Sequence, residues 1–254
     1  MGSGWGERQT PLPRFALRDD PDLHGLVTIG GPDARHITGP LRLRRGDRLS
    51  ASRPGRLLDL EIVSATPDEV LARVVGDEPE RRAPSARLTL IVALPKGSAM
   101  DLLVEKATEI GVVCVQPVLA HRCVARVDGD RAPAKLARWR RIAEEARKQC
   151  GRTVPLEVRA PLPLREAVAT EWARLYVFHE LASEPLSPAD APPPGPVAAV
   201  IGPEGGLTDD EVAAAEAAGG MVRRLGSHVL KCETAAIAAA ALLCCGPWVG
   251  SDTT

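Results

Sequence analysis

The chain has 254 residues, 44% apolar and 26% charged, with a formal net charge of −1. That suits one large or two small folded domains with a real core, and it excludes a disordered chain. The longest apolar run, AAIAAAALLCC at 235–245, is too short to span a bilayer. No cationic stretch followed by an apolar one opens the sequence, so a cytoplasmic protein is expected.

Residues 1–11 read as a flexible lead. From 12 to 76, short apolar stretches are cut by turns: LVTI, LRLRRGDRLS, RLLDLEIVSA and EVLARVV. The alternation in LDLEIVS and VLARVV predicts a small antiparallel β domain, placed at 12–80. Between Arg35 and Arg56 stand seven arginines and one acid, Asp47. GDEPERRAPSA (76–86) is polar and proline-containing, a linker into a second domain at 81–250.

Beyond residue 87 strands and helices alternate. LTLIVAL (88–94) reads as a buried strand. SAMDLLVEKATEIG (98–111) reads as a helix capped by Ser98 and stopped by Gly111. VVCVQPVL is a strand, and 133–152 is a long helix with proline in its first turn and Trp139 on its core stripe. LREAVATEW reads as a helix, RLYVFHE and VAAVIG as strands. TDDEVAAAEAAG is a helix with a Thr208–Glu211 capping box. VRRLG is a short strand, and ETAAIAAAALLCC closes the chain as a helix. Such alternation predicts a mostly parallel α/β sheet, with ligands beyond the carboxyl ends of its strands.

Six cysteines (114, 123, 150, 232, 244, 245) form no C-x-x-C pair and have no histidine at ligand spacing, so no metal is expected. Charge is uneven. Ten Lys/Arg oppose four acids between His121 and Arg152, whereas 180–220 holds eight acids and no Lys or Arg. The basic regions suit a polyanion; solvated surface is the alternative. Three segments expected at one sheet edge stand out: FHELASEP (178–185), IGPEGG (201–206) and LGSHVLKCET (225–234). No G-x-x-x-x-G-K-[ST] or G-x-G-x-x-G occurs, which removes the usual phosphate-loop and dinucleotide readings. The glycines instead allow close backbone approach to an adenine or amino-acid moiety.

LPKGSAMDLLVEKATEIGV (94–112), EARKQCGR (145–152), IGPEGGLTDDEV (201–212) and LGSHVLKCETA (225–235) occur in order. Together they resemble the RsmE family of 16S rRNA uracil-N3 methyltransferases in the SPOUT superfamily. PRF (13–15) and RHITGPLRLRRGD (35–47) resemble that family's PUA-like, RNA-binding β-barrel. The resemblance implies an α/β SPOUT domain with a mostly parallel sheet and a C-terminal trefoil knot. It implies S-adenosylmethionine as cofactor, 16S rRNA or the small ribosomal subunit as partner, and a homodimer with the active site near the subunit interface.

The cofactor residues it implies are His179, Glu180, Gly202, Pro203, Glu204, Gly205, Gly206, Leu225, Gly226, His228, Val229 and Leu230. Arg152 and Lys231 are candidate catalytic cations, and Glu204 and Glu233 candidate acids. Glu233 also suits the dipole of the helix it opens. Where the family usually reads L-G-x-R-[IV]-L-R-x-E-T-A, His228 and Lys231 replace its arginines, and Lys lacks the planar guanidinium fork. For RNA the candidates are Arg14, His36, Arg42, Arg44 and Arg45, then Arg122, Arg126, Arg138, Arg141, Lys148 and Arg152.

Overall fold

The computed structural model describes residues 12–17, 19–53, 55–79, 86–123 and 132–246. The chain divides into two compact units, Met1–Arg81 and Arg82–Thr254. The expected lead at 1–11 lies outside the described residues, as does Arg126.

The first unit holds β1 (Arg14–Ala16), β2 (Leu26–Gly30), α1 (Gly31–Thr38), β3 (Arg48–Arg53), β4 (Arg56–Ala65) and β5 (Glu69–Pro79). They form a five-stranded sheet in the order β1-β3-β4-β5-β2. Its pairings are antiparallel except β1 with β3. Alternate residues turn inward, and Leu49, Leu58, Leu60, Ile62 and Val70 make the core. Two features depart from the sequence reading. Helix α1 falls within the expected β domain; Pro32 stands in its first turn, and Ala34 and Ile37, three apart, bury against the sheet. The expected linker also begins too early: Gly76, Asp77 and Glu78 still pair with Asp59, Leu58 and Leu57 of β4. Asp77 is anchored there by Arg56 Nε at 2.7 Å.

The second unit is a sheet covered on both faces. Its strands are β6 (Ala86–Ala93), β7 (Cys114–Leu119), β8 (Glu157–Val158), β9 (Leu162–Pro163), β10 (Arg174–Phe178), β11 (Gly195–Ile201) and β12 (Gly220–Arg223). All pair in parallel in the order β12-β10-β11-β6-β7-β8, with β9 also on β7. Burial on both faces explains why β6 and β11 read as continuous apolar runs. On one face Leu88, Leu90, Val92, Tyr176 and Ala199 meet α2 (Ala99–Ile110), α3 (Ala132–Cys150) and α6 (Cys232–Cys245). On the other, Ile91, Ala93, Val177 and Val200 meet α4 (Leu164–Val168) and α5 (Asp209–Ala217).

Helix signals held with two exceptions. Gly111 ends α2 in the left-handed region at φ 106°, its N–H donating to Ala107, and Trp139 is in the core. Ser98, however, makes no side-chain cap. Helix α4 stops at Val168 rather than running through Trp172, because the chain turns there to pack Trp172 on the core and enter β10. Among the described residues no helix is long and apolar enough to cross a membrane.

Candidate functional site

In a parallel sheet every strand ends at the same edge, so five loops meet there: 94–98, 120–123, 179–194, 202–208 and 224–231. Three of them wall a cleft of about 670 Å³, counting its open mouth. Of the expected cofactor residues, His179, Glu180, Gly202, Pro203, Gly206, Leu225, Gly226, His228, Val229 and Leu230 line it. Glu204 and Gly205 are exposed and do not. Phe178, Ile201, Leu207, Arg224, Ser227, Cys232 and Ala235 complete the wall. Phe178, Ile201, Ser227 and Cys232 lie within the three segments that stand out in the sequence, whereas nothing local marks Arg224.

The 202–208 loop is a tight turn, with the Gly206 N–H donating to the Pro203 carbonyl at 2.8 Å. Gly206 has φ +73°, and a Cβ on it would stand 2.7 Å from Glu180 Oε1. A Cβ on Gly202 would stand 3.0 Å from Leu207 Cγ. Backbone is exposed at these two positions because the left-handed φ of Gly206 and the closeness of Leu207 to Gly202 disfavour a side chain. The loop then feeds α5 through the expected capping box: Glu211 N–H donates to Thr208 Oγ1, and Thr208 N–H to Glu211 Oε2 at 2.8 Å.

The 179–194 segment is strapped to the end of β12. Arg224 N–H donates to Glu184 and Leu186 N–H to Arg224, each at 2.9 Å. Arg223 grips buried Asp190 through Nε and Nη2 at 3.1 and 3.0 Å, and reaches Glu184 at 3.0 Å. That guanidinium holds the Asp190 carboxyl below the usual range. The Tyr176 hydroxyl donates to the Asp190 carbonyl at 2.6 Å, and burial pushes it up to about 12. Past residue 224 the chain turns back toward the middle of the sheet. There the Cys232 thiol donates to the Ala93 carbonyl of β6 at 3.5 Å, and burial pushes it up to about 12.

Arg152 stands apart from the other candidate catalytic groups. Lys231 is exposed at the N-cap of α6, and Glu233 is half-buried in its first turn. Glu204 accepts from the Lys96 N–H at 3.5 Å. Arg152 Nη1 instead donates to the carbonyl of Thr108, in the last turn of α2. That turn is at the opposite, amino edge of the sheet, where Val113 N–H bonds Leu88 near the start of β6. At about 3.3 Å per residue, that edge lies about 20 Å from the cleft.

The cation candidates divide. Arg14, His36, Arg42, Arg44 and Arg45 are exposed on the first unit. Leu41 and Leu43 N–H groups are tied to His36 and Ile37 on either side of Arg42, which takes φ 54° between them. Arg53 and Arg56 are instead engaged by Asp20 and Asp77. In the second unit Arg141 and Lys148 are exposed, Arg138 holds Asp101 of α2 with a closest approach of 2.7 Å, and Arg122 donates to the Gly205 carbonyl at 2.9 Å. Among the described residues no cluster of His, Cys, Asp or Glu could hold a metal ion.

Comparison with known proteins gives this arrangement a class. The family described as RNA methyltransferase domain matches residues 81–244. The chain is 34% identical over 229 residues, 86% of each chain, to the ribosomal RNA small subunit methyltransferase E of Mycobacterium bovis. It is 30% identical to the Bacillus subtilis protein of that name, covering 82% of this chain and 85% of that one. A crystal structure of the Neisseria gonorrhoeae ribosomal RNA small subunit methyltransferase E bound to S-adenosyl methionine superposes with TM-score 0.78. It is 28% identical and covers 91% of this chain and 95% of that one. The chain belongs to the RNA methyltransferase family, and within it to the ribosomal RNA small subunit methyltransferase E proteins.

Proposed function

We propose that this protein methylates N3 of a specific uridine in 16S rRNA, using S-adenosylmethionine bound in the cleft. The observation that carries the reading is the cleft wall itself. Gly202, Pro203, Gly206 and the 225–230 segment, apolar Phe178, Ile201 and Leu207, a single carboxylate, Glu180, and a single guanidinium, Arg224, which donates to the Ala182 carbonyl, line it without a lysine. Such a wall fits an adenosyl group and a cationic sulfur and does not fit a triphosphate. When bound, the cofactor supplies the electrophilic methyl.

The chain's own groups do the rest. Glu180 balances the cofactor's positive charge. Uridine N3 carries a proton at neutral pH, so a base must accept it, and Glu204 and Glu233 are the candidate acceptors. Lys231 stabilises negative charge developing on a uracil oxygen. Arg152 serves the same end only from a second copy, since its own cleft is about 20 Å away. A homodimer with the active site at the subunit interface follows from that role. Return of residues 225–231 toward β6, past the strapped 179–194 segment, supports a trefoil knot. The first unit is read as a PUA-like barrel that docks small-subunit rRNA through Arg14, His36, Arg42, Arg44 and Arg45.

Calorimetry with S-adenosylmethionine tests the cleft. Saturable binding near one per chain is expected, with Glu204→Gln retaining it while turnover falls. Absence of binding by folded protein contradicts the proposal.

A further inference from the structure

We propose that Arg122 and Glu211 form a latch that holds the glycine-bearing loop in its ligand-binding shape, and that Arg122 acts there rather than on RNA phosphates. This rests on the reading of the cleft as a cofactor site. Three bonds run from the loop after β7 to the segment 205–211, 83 to 90 residues on in sequence, and all are donated by the loop after β7. Arg122 Nη1 donates to the Gly205 carbonyl at 2.9 Å and to the Leu207 carbonyl at 3.4 Å. The His121 N–H donates to Glu211 Oε1 at 2.7 Å.

Glu211 is 9% exposed and accepts two further bonds on Oε2, from Thr208 N and Oγ1 at 2.8 and 3.2 Å. Its charge is therefore shared between the cap of α5 and the neighbouring loop. A capping box alone needs only the Thr208 side of this arrangement; the bond to His121 is additional. Gly205 completes the fit. A Cβ there would stand 3.3 Å from Arg122 Cβ and 3.5 Å from Cδ, so the arginine stem lies along its face. The two carbonyls that Arg122 takes flank Gly206, whose backbone lines the cleft. Held outward by the guanidinium, they fix which backbone groups face the ligand. Arg122 is a positioning residue on this account, and its role reaches the reaction only through the loop.

The test uses full-length protein with S-adenosylhomocysteine as calorimetric probe and an rRNA fragment in a salt titration. Arg122→Ala, an exposed position, is expected to keep its melting temperature, bind the probe about tenfold or more weakly and keep the wild-type salt slope of RNA binding. Arg122→Lys, which can still donate to a carbonyl, is expected to recover part of the lost affinity. Glu211→Gln offers an amide where a donor must be accepted and is expected to weaken the probe as well. Wild-type probe affinity in Arg122→Ala overturns the latch, as does a salt slope lowered by about one with probe affinity intact, the mark of a phosphate contact. If the wild-type protein itself fails to bind the probe, the cleft reading falls and the latch with it.

Discussion

Arg42 occupies backbone space that suits glycine, at φ 54°. The left-handed region costs a non-glycine residue about 1 kcal/mol, and a residue held there by two anchored leucines is a candidate for work at the surface. Replacing Arg42 with Gly relieves that strain while loosening the unfolded chain by a similar amount. Stability is expected to stay within about 1 kcal/mol of wild type, and the logarithmic salt slope of RNA affinity to shrink by about 0.9. Denaturant melts and a salt titration check the pair of outcomes. At Gly206 the sign reverses. Alanine there meets both a left-handed φ and the Glu180 carboxylate at 2.7 Å, so Gly206→Ala is expected to weaken S-adenosylmethionine binding about tenfold or more. Unaltered affinity in calorimetry would show that the turn has slack. Neither constraint is legible in the sequence. IGPEGG announces a tight turn by its glycines, but the acid that fills the space beside Gly206 is Glu180, in the loop after another strand.

Elements explain the pH response. Asp190, in the segment between β10 and β11, is held below its ordinary range chiefly by its bond to Arg223 of β12. A depressed carboxyl stabilises the fold above the unfolded value, near 3.9, and that stability fades as pH falls through the folded value. Stability is therefore expected to drop below about pH 4, and Asp190→Asn is expected to flatten that limb while costing about 1.5–3 kcal/mol at neutral pH. Urea midpoints of both proteins across pH 2–7 measure it. A parallel limb in the variant would place the acid sensitivity elsewhere.

At this scale much was readable. Parallel strands advertise themselves by apolar runs, as in LTLIVAL, and α5 by its capping box. What escaped was tertiary in origin: α1 depends on packing of Ala34 and Ile37, and α4 is cut short by the burial of Trp172. The cleft loops were legible because parallel topology sends all carboxyl ends to one edge; the bond from Arg122 to the Gly205 carbonyl was not.

For the whole molecule the decisive separation is that between Arg152 and the cleft. Its guanidinium bonds the last turn of α2 at the amino edge, so any part in the reaction requires a second copy. Arg152→Ala and a cleft variant such as Gly206→Ala, each weak alone, are expected to regain activity when mixed and re-assembled, up to about a quarter of wild type if one site in the mixed pair is intact. No recovery would place Arg152 in the structure of α2 and α3 only. The central claim is the chemistry on uridine. It is tested most directly by nucleoside mass spectrometry of 16S rRNA from cells with the gene and cells lacking it. The account predicts that 3-methyluridine is present in the first, lost in the second, and restored by wild-type protein; an unchanged level in the deletion strain would contradict it.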